Sequence, residues 1–184
     1  MIDHSIGRGK IIQGDCLDVL RALPQDAFVL AFTSPPYLNV LQHPYPGYYY
    51  PSLVAEYVFV FQKPATKKDK ENIYWYRTEE EKEKNKIDLS AYQGEMSKNV
   101  WKIRPLSPQE NIHPCPFPLE LAERVVNLYS YKGDAVIDIF AGSGQTNLAS
   151  ERLQRQHVGI EIMPEYIEYA LKRLRAEISQ GKMF

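Results

Sequence analysis

Residues 138–146 read DIFAGSGQT, the first two residues of which end the apolar run AVIDI. A Gly-x-Gly between a buried strand and a helix lets the backbone turn sharply and approach a ligand closely. The next apolar run, HVGIEI, carries Glu161 at its end, about twenty residues on, the spacing of a carboxylate that grips ribose hydroxyls. The spacing is not G-x-G-x-x-G, which disfavours a dinucleotide. It is not G-x-x-x-x-G-K-[S/T], which removes the phosphate loop of nucleotide triphosphatases. A glycine turn that serves packing alone has the same spacing.

A second arrangement, TSPPY at 33–37, follows the apolar run Ala27–Thr33. Two successive prolines cannot donate backbone hydrogen bonds and hold the chain stiff, while their carbonyls stay free to accept. Acceptors aimed at the two N–H bonds of an exocyclic amine would pull its lone pair out of ring conjugation and leave it nucleophilic. Ser34 Oγ and the Pro35 carbonyl are such acceptors. Pro36 stiffens the turn, and Tyr37 offers a ring for stacking on a base swung out of a duplex. The plainer reading is a Pro-Pro strand terminator followed by a surface tyrosine.

These residues need a scaffold that ends strands side by side. Lys10–Gly14 (KIIQG) reads as a strand with Asp15 at its carboxyl end. Cys16–Leu23 has helical spacing, with Leu17, Leu20 and Leu23 on one face. Ala27–Thr33 (AFVLAFT) is continuously apolar, as expected of a strand covered on both faces. Strand, helix, strand in this order is a parallel α/β unit. Glu56–Gln62 (EYVFVFQ) reads as a further strand. Residues 63–99 are charged and read as a solvated helix, linker or insert, whose acidic run TEEEKEK should not face phosphate. Farther on, 117–131 carries Leu119, Ala122, Val125, Val126 and Tyr129 at helical spacing. Strands at 135–139 and 157–162 then flank a helix at 147–156. Pro164 opens a last helix with Ile167, Ala170, Leu171 and Leu174 on its apolar side.

The two motifs together resemble the SAM-dependent amino-methylating DNA methyltransferases. DIFAGSGQT is similar to the family's motif I, with Ile139 where proline is usual. By that resemblance Asp138, Ala141, Gly142, Ser143, Gly144 and Thr146 border the methionine part of S-adenosyl-L-methionine, Phe140 packs beside it, and Glu161 holds the ribose. SPPY is similar to motif IV, which implies that Ser34, Pro35, Pro36 and Tyr37 are catalytic. Gly14-Asp15 resembles motif III, which places Asp15 and Cys16 at the adenine side. Trp101 and the stretch HPCPFP, with His113 and Phe117, resemble the approach to motif X over the methionine end. SPPY precedes the glycine loop, an order similar to the circularly permuted β group. Serine in the first place of SPPY looks like the cytosine-N4 branch.

The implied function is transfer of methyl to cytosine N4 in double-stranded DNA, within a restriction–modification system. Adenine-N6 transfer, or an inactive remnant that keeps cofactor or DNA binding, are the alternatives. The implied fold is a Rossmann-like methyltransferase sheet, permuted and forming a single domain over 1–184. No metal is implied. The DNA contacts are expected from the tyrosine-rich loop and from Lys63, Lys67 and Lys68, because phosphate binding draws on local cations.

One interval departs from the family. About twenty residues separate SPPY from EYVFVFQ, too few even when extended for the helices and strands usual there. The chain therefore reads as internally truncated. Three explanations stand open. It is a deleted gene product, its sheet is completed by a second copy or a partner subunit, or the tyrosine-rich loop and charged segment replace the missing elements. Composition fits a reducing, cytoplasmic setting. The net charge of −1 excludes a globally basic binder, though not a local basic face. Cys16 and Cys115 have no partner pattern and read as free thiols. No apolar run is long enough to cross a bilayer.

Overall fold

The computed structural model describes residues 1–34, 57–61, 77–87, 91–104, 106 and 116–181. It divides into two compact units, residues 1–36 with 85–184 and residues 37–84. In chain order the regular elements are β1 (Ile2–Ile6), β2 (Gly9–Gln13), α1 (Cys16–Ala22), β3 (Leu30–Ala31), α2 (Glu79–Lys84), a 3-10 turn (Ala91–Ser97), α3 (Leu119–Tyr129), β4 (Ala135–Asp138), α4 (Gln145–Arg152), β5 (Gln156–Glu161) and α5 (Pro164–Gly181).

The first unit is built on one sheet of spatial order β1-β2-β5-β4-β3. β2, β5, β4 and β3 run parallel, and β1 folds back antiparallel on β2. The two parallel strands of the N-terminal half thus flank the pair from the C-terminal half. β1 lies outside the sequence expectation. Its IDHSI text is weakly apolar, and pairing with β2 holds it in place.

Alternation along the strands builds two apolar layers. Ile11 and Val136 point to one face, where α3, α4 and α5 bury Ala122, Val126, Leu148, Ala149, Ile167, Ala170, Leu171 and Leu174. The expected apolar side of α5 is the side that packs, and burying each of its larger aliphatic chains stabilises by roughly 1.5–3 kcal/mol. Ile12, Ile137 and Ile160 point to the other face, where α1 supplies Val19.

Three expectations change. On α1, Leu17 and Leu20 are exposed while Val19 is 1% exposed. The packed stripe is Cys16, Val19 and Leu23, three and four residues apart, because Asp15 caps the helix and sets its rotation. On α3, Tyr129 is exposed, whereas Arg124 is buried, lying over the Trp101 ring at 5.4 Å and paired with Glu120 and Glu95. The run Ala27–Thr33 is not covered on both faces. Val29 and Ala31 are exposed on the α1 side, and β3 is the last strand of the sheet among the described residues. Backbone bonds from Val29 N to Ala135 O (2.9 Å) and Phe32 N to Ile137 O (3.0 Å) extend its pairing with β4.

In the second unit, Thr78 and Glu81 cap α2 reciprocally. Thr78 N donates to Glu81 Oε2 at 2.8 Å and Glu81 N to Thr78 Oγ1 at 3.2 Å. Lys82–Glu79 and Lys84–Glu80 pairs at 2.6 Å line the helix, which buries nothing, as expected of a solvated face. Residues 57–61 correct the expectation of a strand over EYVFVFQ. They have no regular structure, and all five side chains are exposed, from 44% at Val58 to 90% at Phe61. High β propensity makes a strand only where a partner edge takes the backbone hydrogen bonds.

Candidate functional site

The carboxyl ends of β2, β4 and β5 converge, and there the sequence-expected residues gather. Asp15 follows β2. Its Oδ1 accepts from Leu17 N at 2.9 Å and caps α1. Gly14 N donates to Glu161 O at 3.0 Å, which ties the end of β2 to the end of β5. The Glu161 carboxylate is held in a fixed orientation by three backbone N–H groups. Gly142 N reaches Oε2 at 2.8 Å, and Ile162 N and Met163 N reach Oε1 at 2.8 and 2.9 Å.

Between β4 and α4 the chain reverses through Gly142 and Gly144, both at positive φ, +51° and +78°. Gly144 is required twice over, since a Cβ there would also meet Ala170 Cβ of α5 at 2.8 Å. Ala141 N donates to Ile160 O at 2.9 Å and Gly144 N to Ala141 O at 2.8 Å. Behind the loop, Asp138 is 1% exposed, accepting from Thr146 Oγ1 at 2.7 Å and from Phe140 N at 3.1 Å. Burial pushes its carboxyl pKa above the ordinary value. The Thr146 and Thr33 hydroxyls and the Phe140 N–H oppose that shift, and the Glu161 charge adds to it. Asp138 therefore shapes the loop from behind.

In front of the loop lies a cavity of about 100 Å³ lined by Asp15, Cys16, Ile139, Phe140, Ile160, Glu161 and Ile162. Its chemistry is two carboxylates at neighbouring strand ends and a floor of isoleucines. The half-exposed Phe140 ring stands beside them. Carboxylates take hydroxyl donors, and apolar walls take a flat heterocycle, so the residues present fit a nucleoside. A larger cavity, about 540 Å³, opens at the opposite edge beside Arg8, Lys10, Phe28, Ala135, Gln156 and His157. It sits at the amino ends of the strands. Open α/β sheets bind ligands at the carboxyl ends, and on that ground the smaller cavity is the candidate.

Of the other expected residues, Ser143, Gly144 and Thr146 complete the loop and are buried or carry no side chain. Ser34 stands two residues past Phe32, the last residue of the β3 edge bonded to β4. Phe117 meets the Phe32 ring edge-on, centroids 5.3 Å apart, and its carbonyl accepts from Gln145 Nε2 at 2.8 Å. Pro35, Pro36, Tyr37 and His113 lie outside the described residues, as do Lys63, Lys67 and Lys68. Sequence reasoning missed Gln145 and Arg173, which brace the loop. The one local signal was an arginine beside the apolar stripe of α5.

Residues 42–172 match the N6/N4 family described as DNA methylase. The chain belongs to that family. Among curated relatives, this methylase-family chain is 34% identical over 111 residues to the type II methyltransferase M.BglI of Bacillus subtilis, covering 60% of this chain and 32% of the relative. It is 25% identical to the type II beta methyltransferase M.BslI of Bacillus sp. (strain NEB-606), covering 95% of this chain and 28% of the relative. The chain thus spans about a third of the length of these relatives. The M.BslI alignment runs over 259 positions, more than the 184 residues available here, so the relative carries insertions that this chain lacks. Among solved structures, TTHA0409 of Thermus thermophilus, complexed with S-adenosyl-L-methionine, shares the fold. Its TM-score is 0.59 at 21% identity, covering 91% of this chain and 95% of that one. Among the described residues no helix is long and apolar enough to cross a membrane.

Proposed function

We propose that this chain binds S-adenosyl-L-methionine between Asp15, Glu161 and the glycine loop, and that it methylates an exocyclic amine of a DNA base at the end of β3. One observation carries the reading. β3 and β4 are adjacent parallel strands, with Leu30 opposite Val136 and Ala31 opposite Ile137. Ser34 and the glycine loop therefore follow adjacent strand ends, about 5 Å apart at their roots. A methyl donor held by one and an amine held by the other meet at that edge.

The bound cofactor supplies an electrophilic methyl on a sulfonium. The chain's own residues do the rest. Asp15 and Glu161 accept from hydroxyl donors, Cys16 and Phe140 wall the nucleoside, and Asp138 with Thr146 holds the loop in shape. His113 and Phe117 close over the methionine end. Ser34 Oγ and the Pro35 carbonyl hold the two N–H bonds of the amine, Pro36 keeps that turn stiff, and Tyr37 stacks on the flipped base. Serine at position 34 favours cytosine N4 over adenine N6. Type II relatives support a place in a restriction–modification system.

The spatial order of the sheet, with N-terminal strands outside C-terminal ones, supports a permuted topology. The M.BslI insertions and the exposed Val29 and Ala31 support an internal truncation. These exposures favour a second copy or partner subunit that covers the α1 side of β3. They leave the catalytically inactive remnant as the competing reading. Of residues 63–99, the DNA contacts are assigned to Lys63, Lys67 and Lys68, and the acidic α2 is not among them.

Labelled-methyl transfer to mixed-sequence DNA, followed by nucleoside identification, tests this. N4-methylcytosine is expected, and N6-methyladenine would reassign the target. Ser34→Ala and Tyr37→Ala are expected to lose turnover while cofactor affinity holds. Loss of transfer, affinity and melting temperature together would reduce SPPY to a strand end. Cofactor binding with no transfer to any acceptor would favour the remnant.

A further inference from the structure

Arg173, on α5, belongs to neither motif, yet it bonds to the glycine loop. Its Nη1 donates to Ser143 O at 2.8 Å and its Nη2 to Gln145 Oε1 at 2.7 Å, with the guanidinium over the Tyr169 ring at 5.7 Å. Ser143 and Gln145 are both 3% exposed. The second amide position of Gln145, Nε2, donates to Phe117 O at 2.8 Å, and the Phe117 ring stands edge-on to Phe32. Phe32 is two residues before Ser34.

The polarity of this chain of bonds is fixed at both ends. A guanidinium only donates and a backbone carbonyl only accepts. The side chain between them must present an acceptor to one and a donor to the other, which glutamine does. We infer that Arg173 is a positioning residue that, through Gln145 and Phe117, holds the glycine loop and the Ser34 strand end in one frame. This rests on the function proposed above. Thr146 Oγ1 also reaches Phe32 O, at a longer 3.4 Å, and the relay adds the shorter bonds through Gln145 to that link. A drift of an ångström between donor and acceptor atoms costs about a hundredfold in rate.

The polarity supplies the test. Gln145→Glu is isosteric and keeps the acceptor for Arg173, but sets a carboxylate oxygen against the Phe117 carbonyl. Arg173→Met removes both bonds, and Arg173→Lys restores one donor. Amide hydrogen exchange on the full chain, calorimetry with S-adenosyl-L-methionine and the split of kcat from KM are measured together. For Gln145→Glu, exchange is expected to rise at residues 32–34 and not at 143–144. The fall in kcat should be at least tenfold and larger than any fall in cofactor affinity, to which Phe117 also contributes. For Arg173→Met, exchange should rise at both places and affinity fall at least tenfold, with partial recovery in Arg173→Lys. Exchange at 32–34 unchanged in Gln145→Glu, or a uniform rise along α5 in Arg173→Met, would overturn the inference. If the wild-type chain neither binds the cofactor nor transfers methyl, the functional reading fails, while the exchange pattern still decides the relay.

Discussion

Glu161 Oε2 accepts the Gly142 N–H at 2.8 Å, across nineteen residues of sequence. The carboxylate read as the ribose ligand is therefore also a fastener of the glycine loop. A single substitution should act on both. Glu161→Ala is expected to lower S-adenosyl-L-methionine affinity by about tenfold or more, the loss of a charge-assisted hydrogen bond. It should also raise amide exchange at Gly142. Calorimetry and exchange on the same preparation check this, and unchanged affinity would remove Glu161 from the site.

Gly144 and Ala170 should be energetically coupled. Gly144→Ala forces a left-handed backbone, which costs roughly 1–2 kcal/mol, and drives a methyl against Ala170 Cβ. Denaturant unfolding is expected to show a loss of about 2 kcal/mol or more. Ala170→Gly should cost less in the Gly144→Ala background than in wild type, by about 1 kcal/mol. Additive losses would mean that α5 does not press on the loop.

Asp138 gives the native state a pH dependence of definite sign. Its folded pKa is raised above the ordinary 3.8, chiefly by burial. Its contribution is fully present below the unfolded value and is lost as pH rises through the folded pKa. Asp138→Asn removes that loss, and its amide can donate to Thr146 Oγ1. The freed Thr146 hydroxyl then turns to Phe32 O, now 3.4 Å away. Unfolding followed from below the ordinary value of 3.8 up to neutral pH is expected to show the variant gaining on wild type as pH rises. A constant difference across that whole range would contradict the assignment.

The sheet was legible where apolar runs were long. AVIDI and HVGIEI became β4 and β5, and the last helix packs on the expected side, because a fully buried run has few alternatives. Misreadings fell where burial depended on a partner. Helix α1 has only seven residues, so its stripe could start at Cys16 or Leu17, and the Asp15 cap decided it. Val29 and Ala31 looked like core because apolar text does not say whether a covering element exists. Asp15, Asp138 and Glu161 were visible as residues ending strands, but that Asp138 is buried behind the loop depends on Thr146 folding over it. The roles of Arg173 and Gln145 were not legible beyond an arginine beside the apolar stripe of α5, since their partners are brought together only by the packed fold.

The exposed run Tyr57–Phe61 and the open side of β3 predict association. Light scattering over a range of concentrations should give a mass that rises above that of one chain. Phe59→Lys with Phe61→Lys should lower it, as charge breaks up an exposed apolar patch. A wild-type chain that stays monomeric and turns over robustly would mean that the short connection suffices and that no sheet element is missing.

Nitrogen-resolved NMR of the full chain titrated with S-adenosyl-L-methionine tests the place of the cofactor most directly. Saturable shifts are predicted at Asp15, at Phe140–Gly144 and at Glu161–Met163, the residues around the cavity at the carboxyl ends of the strands. Shifts confined to Arg8, Lys10 and Gln156 around the cavity at the opposite edge, or no saturable shift at all, would contradict it.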